Sequence, residues 1–279
     1  MPRNEGRLET KNSDNSPLPT IDNTEAIFNF VTPTEFVELP TKGKFYPEGH
    51  ALHNAETIEI RHMTAKDTDI LTSRALLKKG IAVERMLQSV IIDPTIKVND
   101  LYVGDKNAMI VACRINGFGP HYDTKVTCPS CNATSEHSFN LEEVNIKEVD
   151  DEDITISNEG TFSIQLPKSN VVVECRLLGG QDEKKLFASS EKNKKHKLQD
   201  ATLTDQYKLF IVSVNGETER RWVEKFVDVM PALDASYLRK IYDKVVPNVD
   251  MRHEFECPKC EHESFIDIPF SADFFWPDR

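Results

Sequence analysis

Apolar and polar residues alternate over Thr57–Arg61, the two-residue period of a half-buried strand. Thr64 then starts a helical pattern as an N-cap, with Asp67 in a capping-box position, and the helix carries Ile70, Leu71, Leu76 and Leu77 to a stop near Gly80. A second helix from about residue 82 gathers Val83, Met86, Leu87, Val90 and Ile91 on one face and ends at Asp93-Pro94. Asp105 is placed to cap a third, with Ala108, Met109, Ala112 and Ile115 on one side and Gly117 past its end. Lys125–Thr127 and Ser135–Leu141 read as two strands joined by a turn.

After an acidic stretch the order repeats. Strands are expected over Thr161–Leu166 and Val171–Leu177, then a helix over Gln181–Ser190. Another helix carries Tyr207, Phe210, Ile211 and Val214 up to an Asn215-Gly216 turn. Trp222, Val223, Phe226 and Val227 mark a further apolar face. Asp234 caps a last helix bearing Leu238, Ile241, Tyr242 and Val245, which Pro247 stops. Glu254–Glu256 and Ser264–Ile268 close the pattern as a second hairpin.

Both hairpins turn on a Cys-Pro-x-Cys knuckle, Cys128-Pro129-Ser130-Cys131 and Cys257-Pro258-Lys259-Cys260, and the second lies 129 residues after the first. Asp105 and Asp234 share that offset, while Ile58-Glu59-Ile60-Arg61 aligns with Val173-Glu174-Cys175-Arg176, and Asp67 with Asp182, at an offset of 115. The expected fold is therefore α+β: two similar strand-plus-helices halves, an internal duplication, joined by a four-cysteine zinc ribbon built from the two hairpins. The divisions are a tail over 1–33, disordered or ordered by a partner, a first half over 34–141 and an acidic linker over 142–160. A second half over 161–269 and an aromatic tail over 270–279 complete it.

Each knuckle lets one tight turn present two sulfurs to one metal, and neither fills a tetrahedral shell alone. The simplest closed site takes Cys128, Cys131, Cys257 and Cys260 around one structural Zn²⁺ per chain, with no open position for catalysis. Two redox pairs, an iron–sulfur cluster or a lost site are the alternatives. Asn132 and Glu261 stand where knuckles often place Gly; Asn tolerates a left-handed backbone well and Glu less so. His121, His137, His253 and His262 near the knuckles read as exposed or supporting side chains rather than ligands.

Composition narrows the function. The chain has 279 residues, 39% of them apolar and 29% charged. A net charge of −12 argues against a general nucleic-acid binder, which needs cations to displace phosphate counterions. No apolar run is long enough to span a bilayer, and no signal-peptide core opens the chain. Of six cysteines, four are in ligand spacing, which suits a reducing cytosol; Cys113 and Cys175 sit in apolar segments and read as inert buried thiols. The sequence contains no phosphate-binding Gly loop, no H-E-x-x-H and no G-x-S-x-G, so neither an enzyme nor a small-molecule substrate is expected. Lys192–Lys197 reads as a solvated basic run between helices.

Two aromatic clusters remain. Phe45 and Tyr46 lie in a turn-rich loop, Leu39-Pro40 to Pro47-Glu48-Gly49, and Phe270, Phe274, Phe275 and Trp276 crowd the C-terminus. The tail reads either as folded back on its own core or as a docking peptide, and the two agree if part packs at home while Trp276 projects. The Leu39-Pro40 to Tyr46-Pro47 loop, the paired knuckles and the Asp273-Phe274-Phe275-Trp276-Pro277 ending together resemble the T4-type bacteriophage baseplate proteins that assemble the central hub, over roughly residues 34–279. The resemblance implies a non-enzymatic role in tail morphogenesis. The partners would be hub subunits or other hub-assembly factors, met in the cytoplasm of the infected bacterial host or in the virion baseplate. Phe45, Tyr46, Phe274, Phe275 and Trp276 are then candidates for partner contact. The alternative readings are a zinc-ribbon nucleic-acid-binding factor and a thiol-redox protein using the two C-x-x-C pairs.

Overall fold

In the computed structural model the described residues are 32–147, 155–196, 202–268 and 272–275. Residues 1–31 of the expected tail, much of the acidic linker, the end of the Lys192–Lys197 run, Phe270 and Trp276 lie outside them. Pro33–Arg279 makes one compact unit, and eight α-helices and eleven strands are seen among the described residues, an α+β fold of small sheets.

The first half opens with strands β1 (Thr34–Glu38) and β2 (Thr57–Arg61), paired antiparallel with Val37 opposite Ile58. Helices α1 (Ala65–Thr72), α2 (Arg74–Lys79) and α3 (Ala82–Val90) follow and pack on one another, and α4 (Val103–Phe118) leads to the hairpin β3 (His121–Thr127) and β4 (Thr134–Asn140). A short strand β5 (Asn145–Lys147) follows. The second half repeats the opening with β6 (Thr161–Gln165) and β7 (Val172–Arg176), then α5 (Gly180–His196) and α6 (Thr202–Phe210). Strand β8 (Ile211–Val214) joins β7, and α7 (Arg220–Val229) and α8 (Ala232–Val245) follow. Strand β9 (Asn248–Asp250) pairs with β5, and β10 (Arg252–Glu256) with β11 (Glu263–Asp267) forms the second hairpin.

Three contact sets recur in the two halves. Arg61 ends β2 and donates from both terminal nitrogens to Asp67, at 2.7 and 2.9 Å; Arg176 ends β7 and meets Asp182 at the same two distances. Each aspartate is the third residue of its helix and also accepts a backbone N–H from the helix entry, Thr64 or Gly179. Burial raises the Asp67 carboxyl, but the Arg61 guanidinium, Ser89 and Thr64 outweigh it and hold it well below the usual carboxylate range. Asp182 is lowered in the same balance. The turns after β1 and β6 both begin Leu-Pro, with Leu39 and Leu166 fully buried. Both turns hang on a helix: Asp105 of α4 accepts the Thr41 N–H at 3.0 Å, and Asp234 of α8 accepts those of Lys168 and Ser169 at 2.7 and 2.9 Å.

Several elements depart from the sequence pattern. The helix expected from Thr64 to Gly80 is two, because Ser73 is extended (ψ 110°) between α1 and α2. Asp105 and Asp234 are not caps; their helices begin two residues earlier, which frees the carboxylates for the Leu-Pro turns. The helix around Tyr207 ends at Phe210, since the β-branched run Ile211-Val212-Ser213-Val214 pairs with β7 instead. The β5–β9 pairing had no periodic signal in three-residue segments.

The apolar residues form two clusters. One gathers the first half, both hairpins and Phe274 and Phe275; the other gathers the second half and Phe45. Gly160 permits this crossing, because a Cβ there would stand 2.1 Å from the Phe45 carbonyl oxygen. Gly104 likewise lets α4 approach the turn before β9, where a Cβ would stand 2.2 Å from the Pro247 oxygen.

Candidate metal centre and aromatic clusters

The two knuckles have one geometry. Cys128 accepts the Asn132 N–H at 3.0 Å and donates its own to Ala133; Cys257 accepts the Glu261 N–H at 2.9 Å and donates to His262. The residue after each second cysteine is left-handed, with φ 55° at both Asn132 and Glu261. Asparagine tolerates this well; for Glu261 it costs backbone strain that the closed turn maintains.

The turns face each other and bring the four sulfurs together, all within 4.8 Å of one another. Cys128 Sγ lies 3.8 Å from Cys260 Sγ, and Cys131 Sγ lies 3.7 Å from Cys257 Sγ. A tetrahedral ion with metal–sulfur bonds of about 2.3 Å sets its sulfurs about 3.8 Å apart. These distances exceed the ~2.05 Å of a disulfide. Cys128 and Cys257 are buried, and Cys131 and Cys260 face outward. Backbone N–H groups, that of Lys259 foremost, bring the Cys257 thiol down to about 7, toward the thiolate a metal requires. At Cys260 the His262 N–H favours the thiolate, but hydrogen bonding with Cys131 and the other cysteines, together with burial, pushes the thiol up to about 12. The donor set, spacing and mutual approach fit one metal ion held across the two halves. Ser135 and Ser264, each four residues past a second cysteine, carry buried hydroxyls with no hydrogen-bond partner.

Among the described residues no histidine joins the four sulfurs in the candidate ligand cluster. His137 packs edge-on against Phe139 and Phe255, with ring centroids 4.6 and 5.5 Å away, and His253 approaches Glu143 at 3.4 Å. Burial, with the neighbouring His253 charge, lowers the His137 pKa. Cys113 and Cys175 are buried, and desolvation pushes the Cys113 thiol up to about 12 and Cys175 in the same direction.

The aromatic candidates among the described residues, Phe45, Tyr46, Phe274 and Phe275, are buried. Phe45 is 0% exposed and meets Phe162 and Tyr102 edge-on. Tyr46 donates to Asp105 at 2.7 Å, and desolvation followed by the Asp105 charge drives its pKa far upward. Phe274 and Phe275 pack on Tyr122 and Phe118, and Arg114 donates to the Phe274 carbonyl at 2.7 Å. The sequence signals Arg114 only as a cation set among the apolar Val111, Ala112, Cys113 and Ile115, and the structure buries it completely. The knuckles and these clusters occupy different places, the former at the hairpin tips and the latter within the cores.

No helix among the described residues is long and apolar enough to cross a membrane. A family model described as T4 bacteriophage base plate protein matches residues 32–276. Neither the curated proteins nor the solved structures contain a match.

Proposed function

This chain belongs to the T4 bacteriophage base plate protein family, and from that premise we propose that it is a non-enzymatic morphogenesis protein that promotes or forms part of the central hub. Its partners are hub subunits or other hub-assembly factors. It meets them in the cytoplasm of the infected host and, if retained, in the virion baseplate. The observation that carries the reading is the four-cysteine cluster within the matched region, which brings a knuckle from its middle against one near its C-terminal end. A closed thiolate shell supplies rigidity and no reactive position, which suits a protein that presents surfaces to others.

The cofactor in this reading is one structural Zn²⁺ per chain, held by Cys128, Cys131, Cys257 and Cys260, and the two hairpins are the arms of one zinc ribbon. An internal duplication accounts for the paired Arg–Asp bridges, Leu-Pro turns and knuckles, with halves at 34–141 and 161–269. Contact through Phe45, Tyr46, Phe274 or Phe275 would require them to leave their cores.

Metal content of protein purified without added metal, with thiol counting before and after chelation, tests the zinc reading. One zinc per chain and four thiols protected until chelation are expected. Freely reactive or disulfide-paired cysteines without metal would move the weight to a thiol-redox protein. Pull-down of purified hub subunits by the zinc-loaded chain tests the hub role, and failure with every hub subunit overturns it.

A further inference from the structure

The outer face of α1–α3 departs in charge from the rest of the chain. Lys66, Arg74, Lys78, Lys79 and Arg85 are all exposed, and none of their side chains has an ion-pair or hydrogen-bond partner among the described residues. The three carboxylates in these helices do little to neutralise them: Asp67 is buried against Arg61, Glu84 is held by Lys184, and only Asp69 faces solvent. In the second half, by contrast, many cations are tied up. Lys184 holds Glu84, Lys185 reaches Asp182, Lys208 meets Asp228, and Arg220 and Arg221 meet Glu224 and Glu219. Five cations unpaired among the described residues, exposed on three helices that pack on one another, make a local reversal of sign in a chain with net charge −12.

Helix α2 adds a second observation. None of its six residues is buried, and Leu77 is 39% exposed. A helix this short has little stability of its own and normally gains it by burying an apolar face. Here that face is turned outward between Arg74, Lys78 and Lys79.

We propose that the α1–α3 face is a docking surface for an acidic, amphipathic segment of a partner protein, which seats an apolar residue against Leu77 and carboxylates against the surrounding cations. Charge complementarity carries the choice of occupant. Nucleic acid fits less well, because the helices carry no aromatic residue on which a base could stack. The chain's overall negative charge would also repel a phosphate backbone beyond the patch. The inference rests on the contact role proposed above and names the chemistry of one partner.

The test uses the full zinc-loaded chain and three fluorescein-labelled probes in fluorescence anisotropy: an amphipathic Glu/Leu helical peptide, an oligo-Glu peptide of equal length and a short DNA duplex. The amphipathic peptide is expected to bind tightest, with affinity falling as salt rises. Arg74→Glu/Lys78→Glu/Lys79→Glu should weaken it by roughly tenfold or more, and Leu77→Ala should remove its advantage over oligo-Glu. These side chains are exposed, so the thermal melt should not move; if it does, Lys66→Gln/Arg85→Gln serves with a smaller expected loss. No binding of the amphipathic peptide, equal binding by the charge-reversed chain, or tighter binding of DNA would each overturn the proposal. Peptide binding alongside failed hub pull-downs would retain this surface and sink only the hub role.

Discussion

The two halves hold their Leu-Pro turns by the same device but enclose it differently. Asp105 takes the Thr41 N–H and hydroxyl and the Tyr46 hydroxyl, groups that are buried with it; Asp234 is as inaccessible to solvent but takes the Lys168 and Ser169 amides of an exposed turn. The difference arises in chain length between the paired strands. Residues 39–56 separate β1 from β2, whereas 166–171 separate β6 from β7. The longer loop turns Tyr46 back onto its own aspartate and sends Phe45 into the other half's core. The hairpins, by contrast, are alike down to backbone distances of 2.9–3.0 Å in the knuckles. Similar elements thus bear the symmetric four-cysteine cluster, while the asymmetric loop and Gly104 and Gly160 fasten one half to the other.

The largest test of this contrast removes the symmetric part. Cys128→Ser and Cys257→Ser should destabilise the chain to similar extents, because each takes one buried ligand from the same shell. Structural zinc holds ~10–16 kcal/mol of apparent binding energy in small peptides. Either substitution is therefore expected to cost several kcal/mol of that order in urea unfolding of the zinc-loaded chain. A large loss from one and almost none from the other would mean that the knuckles do not share an ion.

The asymmetric part should give an unequal pair. Phe45→Ala empties a site in the second half's core and should cost about 3–5 kcal/mol. Asp105→Ala leaves the Tyr46 and Thr41 hydroxyl donors and the Thr41 N–H without an acceptor in a buried site, for a loss of about 3–9 kcal/mol at ~1–3 per orphaned group. Asp234→Ala frees two amides of a turn near solvent and should cost about 1–2 kcal/mol. Equal losses at Asp105 and Asp234 would show that the Tyr46 enclosure adds nothing.

The parts of the fold that were legible in the sequence are those with local signals. The knuckles, the Ile58–Arg61 strand and the apolar stripes of α3, α4 and α8 follow from spacing and period. The aspartates were found by their offset, but their role was misread, because a carboxylate two residues inside a helix that serves a distant turn looks like a cap in one dimension. Phe45 and Tyr46 stood out as aromatics in a Gly/Pro loop, and nothing local told that the loop crosses to another core. Phe274 and Phe275 raised the same question; their burial depends on Arg114, Phe118 and Tyr122, some 150 residues earlier. The break at Ser73 carries no Gly or Pro, and it leaves α2 without a buried face.

The smallest effect concerns the joint where the hairpins meet. The first contributes His137 and Phe139, the second His253 and Phe255, and Glu143 stands beside His253. Burial, then the His253 charge, lowers the His137 pKa, so the fold favours the neutral ring. The sign follows by linkage: the contribution of neutral His137 is complete above the unfolded value of ~6.5 and is lost as pH falls below it, until the folded ring also protonates. The ring is partly solvated, so the loss should be only about a few tenths of a kcal/mol. Urea unfolding at about pH 8 and about pH 6 should therefore show a slightly steeper decline for the parent chain than for His137→Gln. Any pH dependence of the four-cysteine cluster acts on both chains and cancels in that difference. Identical slopes would mean that the histidine edge of the joint is electrostatically silent and that Phe139 and Phe255 alone hold the hairpins face to face.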